Sequence, residues 1–361
     1  MTQAEKMSQT GKPGKESCIR EKLEAQERQL LAPWAAFSAE SHGRKDKTEM
    51  EDEIRTCYMR DRDRITHSAA FRSLKHKTQV YIAANGENFR TRLTHTLEVS
   101  QISRTIGRAL GLNLDLIEAI ALGHDVGHTP FSHSGEIVFD RLLPGGFDHQ
   151  SHSIRVLSYL EKRSDGRGLN LTVETLDGIF KHRGLSAAGR RDKTIEGQIV
   201  RFSDKIAYVQ HDIDDSLRTG VLKEEEIPRE LAEILGHSHS QRIATLVKDL
   251  IYTNLPRLEE GQREILMSPH LLSAFQKMRE FMFERVYQGE YCMAEKEKAM
   301  YVLEFLFRHF MKHQEKLPAM YREIGSREGA ERAVVDYLSS LTDQYCLALF
   351  QALALPNPII V

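Results

Sequence analysis

The sequence predicts an all-α fold. From about residue 51 onward, apolar residues recur at the three-to-four spacing of helices. Stretches rich in β-branched residues with clean alternation are scarce. The periodic segments also stop at residues that end helices, such as Pro33 and Gly111.

Residues 1–50 read as a polar N-terminal arm, partly extended or disordered, that packs on the body or on a neighbouring subunit. Within it, "IREKLEAQERQLLAP" (19–33) has the pattern of a short amphipathic helix stopped by Pro33. "SAESHGRKDKTEMEDE" (38–53) is a charged stretch expected to be exposed or partly disordered. "TQVYIA" (78–83) fits either a short strand or more helix. Leu97, Ile102, Ile106, Ala109 and Leu110 form an apolar stripe closed by Gly111. Asp115 is the expected cap of the next helix, "LIEAIAL" (116–122). Further helices are expected over 151–163, 173–182, 195–218, 240–253, 269–287, 293–313 and 328–353. The helix over 195–218 carries an apolar stripe at Ile199, Phe202, Ile206, Val209 and Ile213. Beside it, Asp204, Tyr208 and Asp212 at i, i+4 and i+8 form a polar ridge that is either solvated or reaches into a site.

Composition narrows the function classes. With 40% hydrophobic and 28% charged residues, the chain has an ordinary globular make-up. A formal net charge of -2 gives no global bias toward nucleic acid or anionic membrane. Cys18, Cys57, Cys292 and Cys346 form no C-x-x-C pair, which argues against a zinc ribbon and for a reduced setting. No stretch approaches the ~20 apolar residues of a membrane span, and the N-terminus has no apolar run. A cytoplasmic location without membrane contact is expected. The basic run "KHRGLSAAGRRDK" (181–193) reads as a solvated loop, with phosphate or effector binding as the alternative.

The chemistry concentrates in "LGHDVGHTPFSHSGE" (122–136). Six of the 16 histidines, His95, His124, His128, His133, His149 and His152, fall within residues 95–152. His124 and Asp125 end an apolar helix that would bury them, and a buried carboxylate needs a cation. Gly123 and Gly127 let the backbone approach closely. A polar helix junction, or simple N-capping by "SHSGE", is the alternative reading of these residues. His67, His76, His182, His211, His237, His239, His309 and His313 carry no convincing ligand spacing.

The order His95, His124–Asp125, Asp204 resembles that of the HD-domain phosphohydrolases. "RDRDRITHSAAFRSLKHKTQVY" (60–81), "TRLTHTLEVSQISRTIGRALGL" (91–112) and "GHDVGHTPFSHSGE" (123–136) narrow the resemblance to the deoxynucleoside triphosphate triphosphohydrolases. "LAPWAAFSAESHGR" (31–44) is similar to the bacterial dGTPase-like members. The resemblance covers about residues 31–215, and the last third matches only by its helical character. It implies an HD-domain helical bundle with additional C-terminal helices. The arm would span 1–50, the HD phosphohydrolase core with the metal site 51–220, and a C-terminal helical region packed on that core 221–361.

The resemblance also implies roles. His95, His124, Asp125 and Asp204 would hold one divalent ion, for which manganese, iron, nickel, cobalt and zinc all suit the ligand set. Magnesium would accompany the bound triphosphate. His128, His133, Glu136 and His149 would do the catalysis: His133 with Glu136 as the acid, His128 and His149 on the phosphates. The reverse division among the histidines stays open. Where bacterial members often read F-E-H-N, this chain reads Phe147-Asp148-His149-Gln150, with His152 three residues on. Gln79, Arg92, Lys205, Tyr208 and Asp212 would contact sugar and phosphates. The substrate would be a dNTP, split into deoxynucleoside and tripolyphosphate. A homo-oligomer, with a dNTP effector at a subunit interface, is expected. Other HD phosphohydrolase activities, on nucleoside monophosphates, guanosine polyphosphates or cyclic nucleotides, use the same four ligands. A nucleotide sensor or single-stranded nucleic-acid-binding regulator is the third class.

Overall fold

The computed structural model describes residues 18–79, 90–163, 166–181 and 193–356. Residues 1–17 of the arm, 80–83 of the segment "TQVYIA" and 182–192 of the basic run lie outside the described residues.

The fold is all-α, as the sequence predicts. In chain order the helices are α1 (Ile19–Leu30), α2 (Cys57–Thr66), α3 (Ala69–Ser73), α4 (Arg92–Ala109), α5 (Leu114–Gly123), α6 (His133–Leu142), α7 (His149–Arg155) and α8 (Val173–Phe180). They continue with α9 (Ile195–Thr219), α10 (Arg229–Leu235), α11 (His239–Glu259), α12 (Pro269–Met282), α13 (Glu290–Lys312), α14 (Ala319–Glu328), α15 (Ala330–Ser340) and α16 (Asp343–Ala354). One small antiparallel ladder joins β1 (Lys162–Arg163) to β2 (Gly166–Arg167). No helix among the described residues is long and apolar enough to cross a membrane.

The centre of the fold is α5. It is apolar around most of its circumference, and such a helix is stable only when surrounded. It packs against α2, α4, α8 and α9. Its C-terminal end therefore delivers His124 and Asp125 into the interior. α4 and α9 also pack on each other, which sets His95 and Asp204 against the same point. Farther out, α13 bridges α6 to α15 and α16, tying the C-terminal helices to the core.

Several local expectations need correction. Leu97 is half exposed, and Ala109 is exposed too; the buried stripe of α4 is Val99, Ile102, Ile106 and Leu110, continued by His95 and Ser103. At about 100° per residue, Leu97 stands about 200° around the helix from His95 and faces away from the core. Gly111 does end this helix, at φ 68°. The cap of α5 is Asn113, whose side chain accepts from the amides of Asp115 and Leu116. Asp115 instead pairs with Arg62 at 2.6 Å.

The helix expected over 151–163 starts at His149, widens into a π-turn over Val156–Leu160 and gives way to the β-ladder. The segment 269–287 likewise ends in a π-turn over Phe283–Tyr287. The single helix expected over 328–353 is broken at Gly329 and again at Leu341–Thr342. The charged stretch 38–53 is pinned to the body. Ser41 and His42 donate to Glu174, Arg44 pairs with Asp61, and Glu49 meets Arg60, Arg64 and Arg163.

Candidate active site

Three helices converge on one buried point. α4 supplies His95 from its first turns, the end of α5 supplies His124 and Asp125, and the middle of α9 supplies Asp204. All four side chains are buried. His95 Nε2 lies 3.2 Å from Asp204 Oδ1 and 4.0 Å from Asp125 Oδ2. His124 Nε2 lies 3.4 Å from Asp125 Oδ1 and 3.7 Å from Asp204 Oδ1. Ligand atoms about 2.1 Å from one tetrahedral ion stand about 3.4 Å apart, so these separations suit a shared ion. The donor set suits it as well. Burial pushes the Asp125 carboxyl up, but His124, His128 and Arg92 outweigh it and hold the group well below the usual range. For Asp204 the same burial is outweighed by Lys205, His95 and His124. Two ionised carboxylates and two imidazoles are the ligands a divalent cation takes.

The imidazoles are oriented from behind. His124 Nδ1 is 2.6 Å from the Ala121 carbonyl oxygen, which can only accept, so Nδ1 carries the proton and Nε2 offers its lone pair inward. His95 Nδ1 is 3.3 Å from His211 Nδ1, and His211 Nε2 is paired with Glu98. Burial pulls the His211 imidazole down to about 4, against the hydrogen bond it donates to Glu98. A neutral His211 that donates from Nε2 to Glu98 must accept at Nδ1. His95 then donates from Nδ1 and presents Nε2 to the centre. His211 sits seven residues after Asp204 on α9, two turns along the same face, and that spacing was the available signal.

Beside this centre stands a second cluster. The His128 and His149 rings stack at 3.8 Å, and His133 lies 5.9 Å and 6.2 Å from them. The Glu136 carboxylate faces His133 Nδ1 at 3.1 Å and His149 Nδ1 at 3.0 Å. Burial pushes Glu136 up, but these two histidines outweigh it and hold it well below the usual carboxylate range. His128 is pushed well below an ordinary histidine by burial and by Arg92. Burial also lowers His149, against the pull of Glu136. In both, the neutral ring is therefore favoured in the free protein. His133 is half exposed, so its ring reaches solvent and Glu136 together. The two clusters share Asp125, whose Oδ1 is 3.0 Å from His128 Nδ1.

The turn between them is tightly set. A Cβ on Gly127 would come 2.2 Å from the Ser153 backbone nitrogen, so only glycine lets this turn lie on α7. Ser132 occupies the N-cap position of α6 without capping it. Its hydroxyl accepts from Arg92 at 2.8 Å and donates to the Gln79 carbonyl at 2.8 Å. Arg92 also reaches Asp125 at 2.8 Å. The Gln79 side-chain Oε1 is buried with no hydrogen-bond partner among the described residues. His149 opens α7 behind an Asp148 cap, whose side chain accepts from the Ser151 amide, and the His149 ring also joins the second cluster. His152 faces elsewhere, accepting from Arg332 at 3.0 Å beside Asp336.

The ridge on α9 turns inward. Lys205 Nζ is 2.8 Å from Asp204 Oδ2. Asp212 is buried and accepts the Tyr287 hydroxyl, and the Tyr208 and Tyr287 rings lie 5.9 Å apart. Burial raises the Asp212 carboxyl to about 8. Tyr287 comes from the π-turn after α12, where no local motif marks it. Of the remaining histidine pairs, His239 stacks on His211 at 6.1 Å, while His309 and His313 contact each other at 4.8 Å.

Comparison with known proteins identifies the family. A family model described as "HD domain" matches residues 92–209, and one described as "Phosphohydrolase-associated domain" matches residues 265–352. A deoxyguanosinetriphosphate triphosphohydrolase-like protein of Clostridium tetani is 51% identical over 344 residues, covering 95% of this chain and 98% of that protein. The chain belongs to the deoxyguanosinetriphosphate triphosphohydrolase-like family. Family members from Clostridium perfringens strain 13 and Desulfatibacillum aliphaticivorans are 51% identical over 339 residues and 43% identical over 354 residues. These matches cover 94% and 95% of this chain, and 98% and 99% of the two relatives. As a member of this family the chain is an HD-domain phosphohydrolase. The HD match spans both clusters, and the phosphohydrolase-associated match takes in α13 to α15 and the Tyr287 turn.

Proposed function

We propose that the protein hydrolyses deoxynucleoside triphosphates to deoxynucleoside and tripolyphosphate. The observation that carries this reading is the histidine–glutamate cluster built onto the four-ligand centre through Asp125. A monophosphate would need fewer such contacts, whereas three consecutive phosphates need a row of donors. The names borne by the relatives support the same reaction.

His95, His124, Asp125 and Asp204 would hold a divalent ion, which supplies Lewis-acid polarisation of water and phosphate oxygen. Manganese, iron, nickel, cobalt and zinc are the candidates, with magnesium on the triphosphate. Water adds at the α-phosphorus, and the bond from that phosphorus to the 5′-oxygen breaks. The departing 5′-oxygen needs a proton, because an alkoxide is a poor leaving group. His133, whose half-exposed ring is held at Nδ1 by Glu136, supplies it and recovers a proton from solvent between turnovers. The incoming triphosphate charge favours the protonated rings of His128 and His149, which then donate to phosphate oxygens, and Arg92 and Lys205 place fixed positive charge beside them. Tyr208, Asp212 and Tyr287 form a wall suited to the deoxyribose, and Gln79 Oε1, unpartnered among the described residues, would contact the sugar.

The test is incubation of purified protein with each dNTP and each candidate metal, with products followed by phosphorus NMR. Tripolyphosphate with an equal amount of deoxynucleoside is expected. Mixtures of dNTPs belong in the assay, since one nucleotide can activate hydrolysis of another at a subunit interface. Orthophosphate or pyrophosphate instead, or no product under any combination, would overturn the reading.

A further inference from the structure

We propose that Asp343, the first residue of α16, is a positioning residue that latches the 128–133 turn in the shape that places His133 for catalysis. For the chemistry of His133 this rests on the function proposed above.

Phe131 and Ser132 both have φ 58°. Two successive non-glycine residues in the left-handed region are unfavourable, and they persist only where their surroundings over-determine them. His133 follows directly, so the direction of its side chain depends on this pair. The surroundings can be named. Asp343 Oδ1 accepts the Phe131 N–H at 2.9 Å. The Ser132 hydroxyl is fixed by Arg92 and the Gln79 carbonyl, and the Ser132 carbonyl accepts from Thr129 Oγ1 at 2.8 Å.

The second carboxylate oxygen of Asp343 is occupied as well. Oδ2 accepts the Thr78 N–H at 2.9 Å and the Thr78 hydroxyl at 2.6 Å. Next to Thr78, the buried Lys77 ammonium donates to the His128 carbonyl at 2.5 Å and to the Ser339 carbonyl at 2.8 Å. The segment Lys77–Gln79 is thus clamped between the turn and the α15–α16 junction, and Asp343 holds both sides. An aspartate in the first turn of a helix has a simpler use, as a partner for the free amides there. Here Thr342 already caps α16 by accepting from Tyr345 N, and both Asp343 oxygens face the turn and its neighbour.

A latch and a plain structural anchor differ in what their loss removes. Proton delivery matters for an alkoxide leaving group and little for p-nitrophenolate, which departs unprotonated. Asp343→Ala removes both acceptors. Asp343→Asn, for the case where alanine fails to fold, replaces one acceptor oxygen by an NH2 facing an N–H donor. In either variant we expect full metal stoichiometry and nearly unchanged KM. We expect kcat for dNTP hydrolysis to fall about 10- to 100-fold, the scale of a misplaced catalytic group. Metal-dependent hydrolysis of bis(p-nitrophenyl) phosphate should stay within about twofold of wild type. Asp336→Asn, which disturbs the same C-terminal region without touching the turn, should lower both activities in parallel. Equal loss on both substrates in the Asp343 variants, or no loss on either, would overturn the latch. Should the wild type cleave the nitrophenyl ester but no dNTP, the function reading fails and the latch is decided by hydrogen exchange. Faster exchange confined to residues 126–136 in the variant supports it, and unchanged exchange there overturns it.

Discussion

His211 shows how much a single unremarked side chain can contribute. It stands behind the four-residue centre, and through its contact with His95 Nδ1 it decides which nitrogen of His95 faces that centre. Partners that orient metal-bound histidines are typically worth 10- to 100-fold in metal affinity. His211→Leu is therefore expected to weaken metal binding about 10- to 100-fold, while His211→Gln, whose amide oxygen can still accept from His95, should retain most of it. A competition titration against a chromophoric chelator reads this directly, and equal affinities for wild type and leucine variant would refute the role. That His95, His124, Asp125 and Asp204 belong together was legible in the sequence, because a histidine–aspartate pair with two outlying partners is a recognisable order. Tyr287 was not, since it acquires its partner only when separate helices pack together, and His211 carried only the faint signal of its spacing from Asp204. Asp212 offers a second test. With its pKa raised to about 8, against about 3.9 in the unfolded chain, the folded state binds the extra proton between those values. Stability contributed at this site therefore falls as pH rises from about 4 to about 8. Asp212→Asn removes that proton, so the Tm of the metal-free variant should gain on wild type between about pH 5 and about pH 8. Parallel Tm profiles would exclude it.

At the scale of elements, the turn after α5 is the most constrained piece of chain. Gly127→Ala would set a methyl group against the Ser153 nitrogen and the His149 carbonyl, both backbone atoms that cannot swing aside. The expected cost is about 3 kcal/mol, read as a lower denaturation midpoint. Gly261→Ala, where nothing lies within 4 Å, should lose only the left-handed backbone penalty of about 1 kcal/mol. Comparable midpoints for the two variants would contradict this packing. Helix existence was legible from periodicity, while boundaries were not. Asn113 and Asp115 are both good caps, and only the turn geometry decides between them. A π-turn inserts residues without interrupting an apolar pattern, so the changes at 156–160 and 283–287 left no trace in the spacing.

For the whole molecule, charged groups tie the C-terminal helices to the core. Asp336 is fully buried and accepts from Arg155 at 2.6 Å and Arg332 at 2.7 Å, joining α7 to α15. Removing one partner of such a group leaves charge without compensation, so Asp336→Ala is expected to destabilise by about 3 kcal/mol. Chemical denaturation checks this, and a change under about 1 kcal/mol would show the contact to be dispensable. The resemblance seen in the sequence stopped near residue 215 because the later residues carry no compact motif. Their contribution reaches the site through single long-range contacts, which local patterns cannot encode.

The two-sided grip of Asp343 also has a consequence during synthesis. Asp204, the last of the four clustered residues, leaves the ribosome roughly 140 residues before Asp343, a delay of about 10 s at ordinary elongation rates. A nascent chain therefore passes through a stage in which His95, His124, Asp125 and Asp204 all exist while the turn bearing His133 still lacks the grip of Asp343. On the function proposed above, ion capture would precede competence, and a growing chain would carry a metal without yet threatening the nucleotide pool around it.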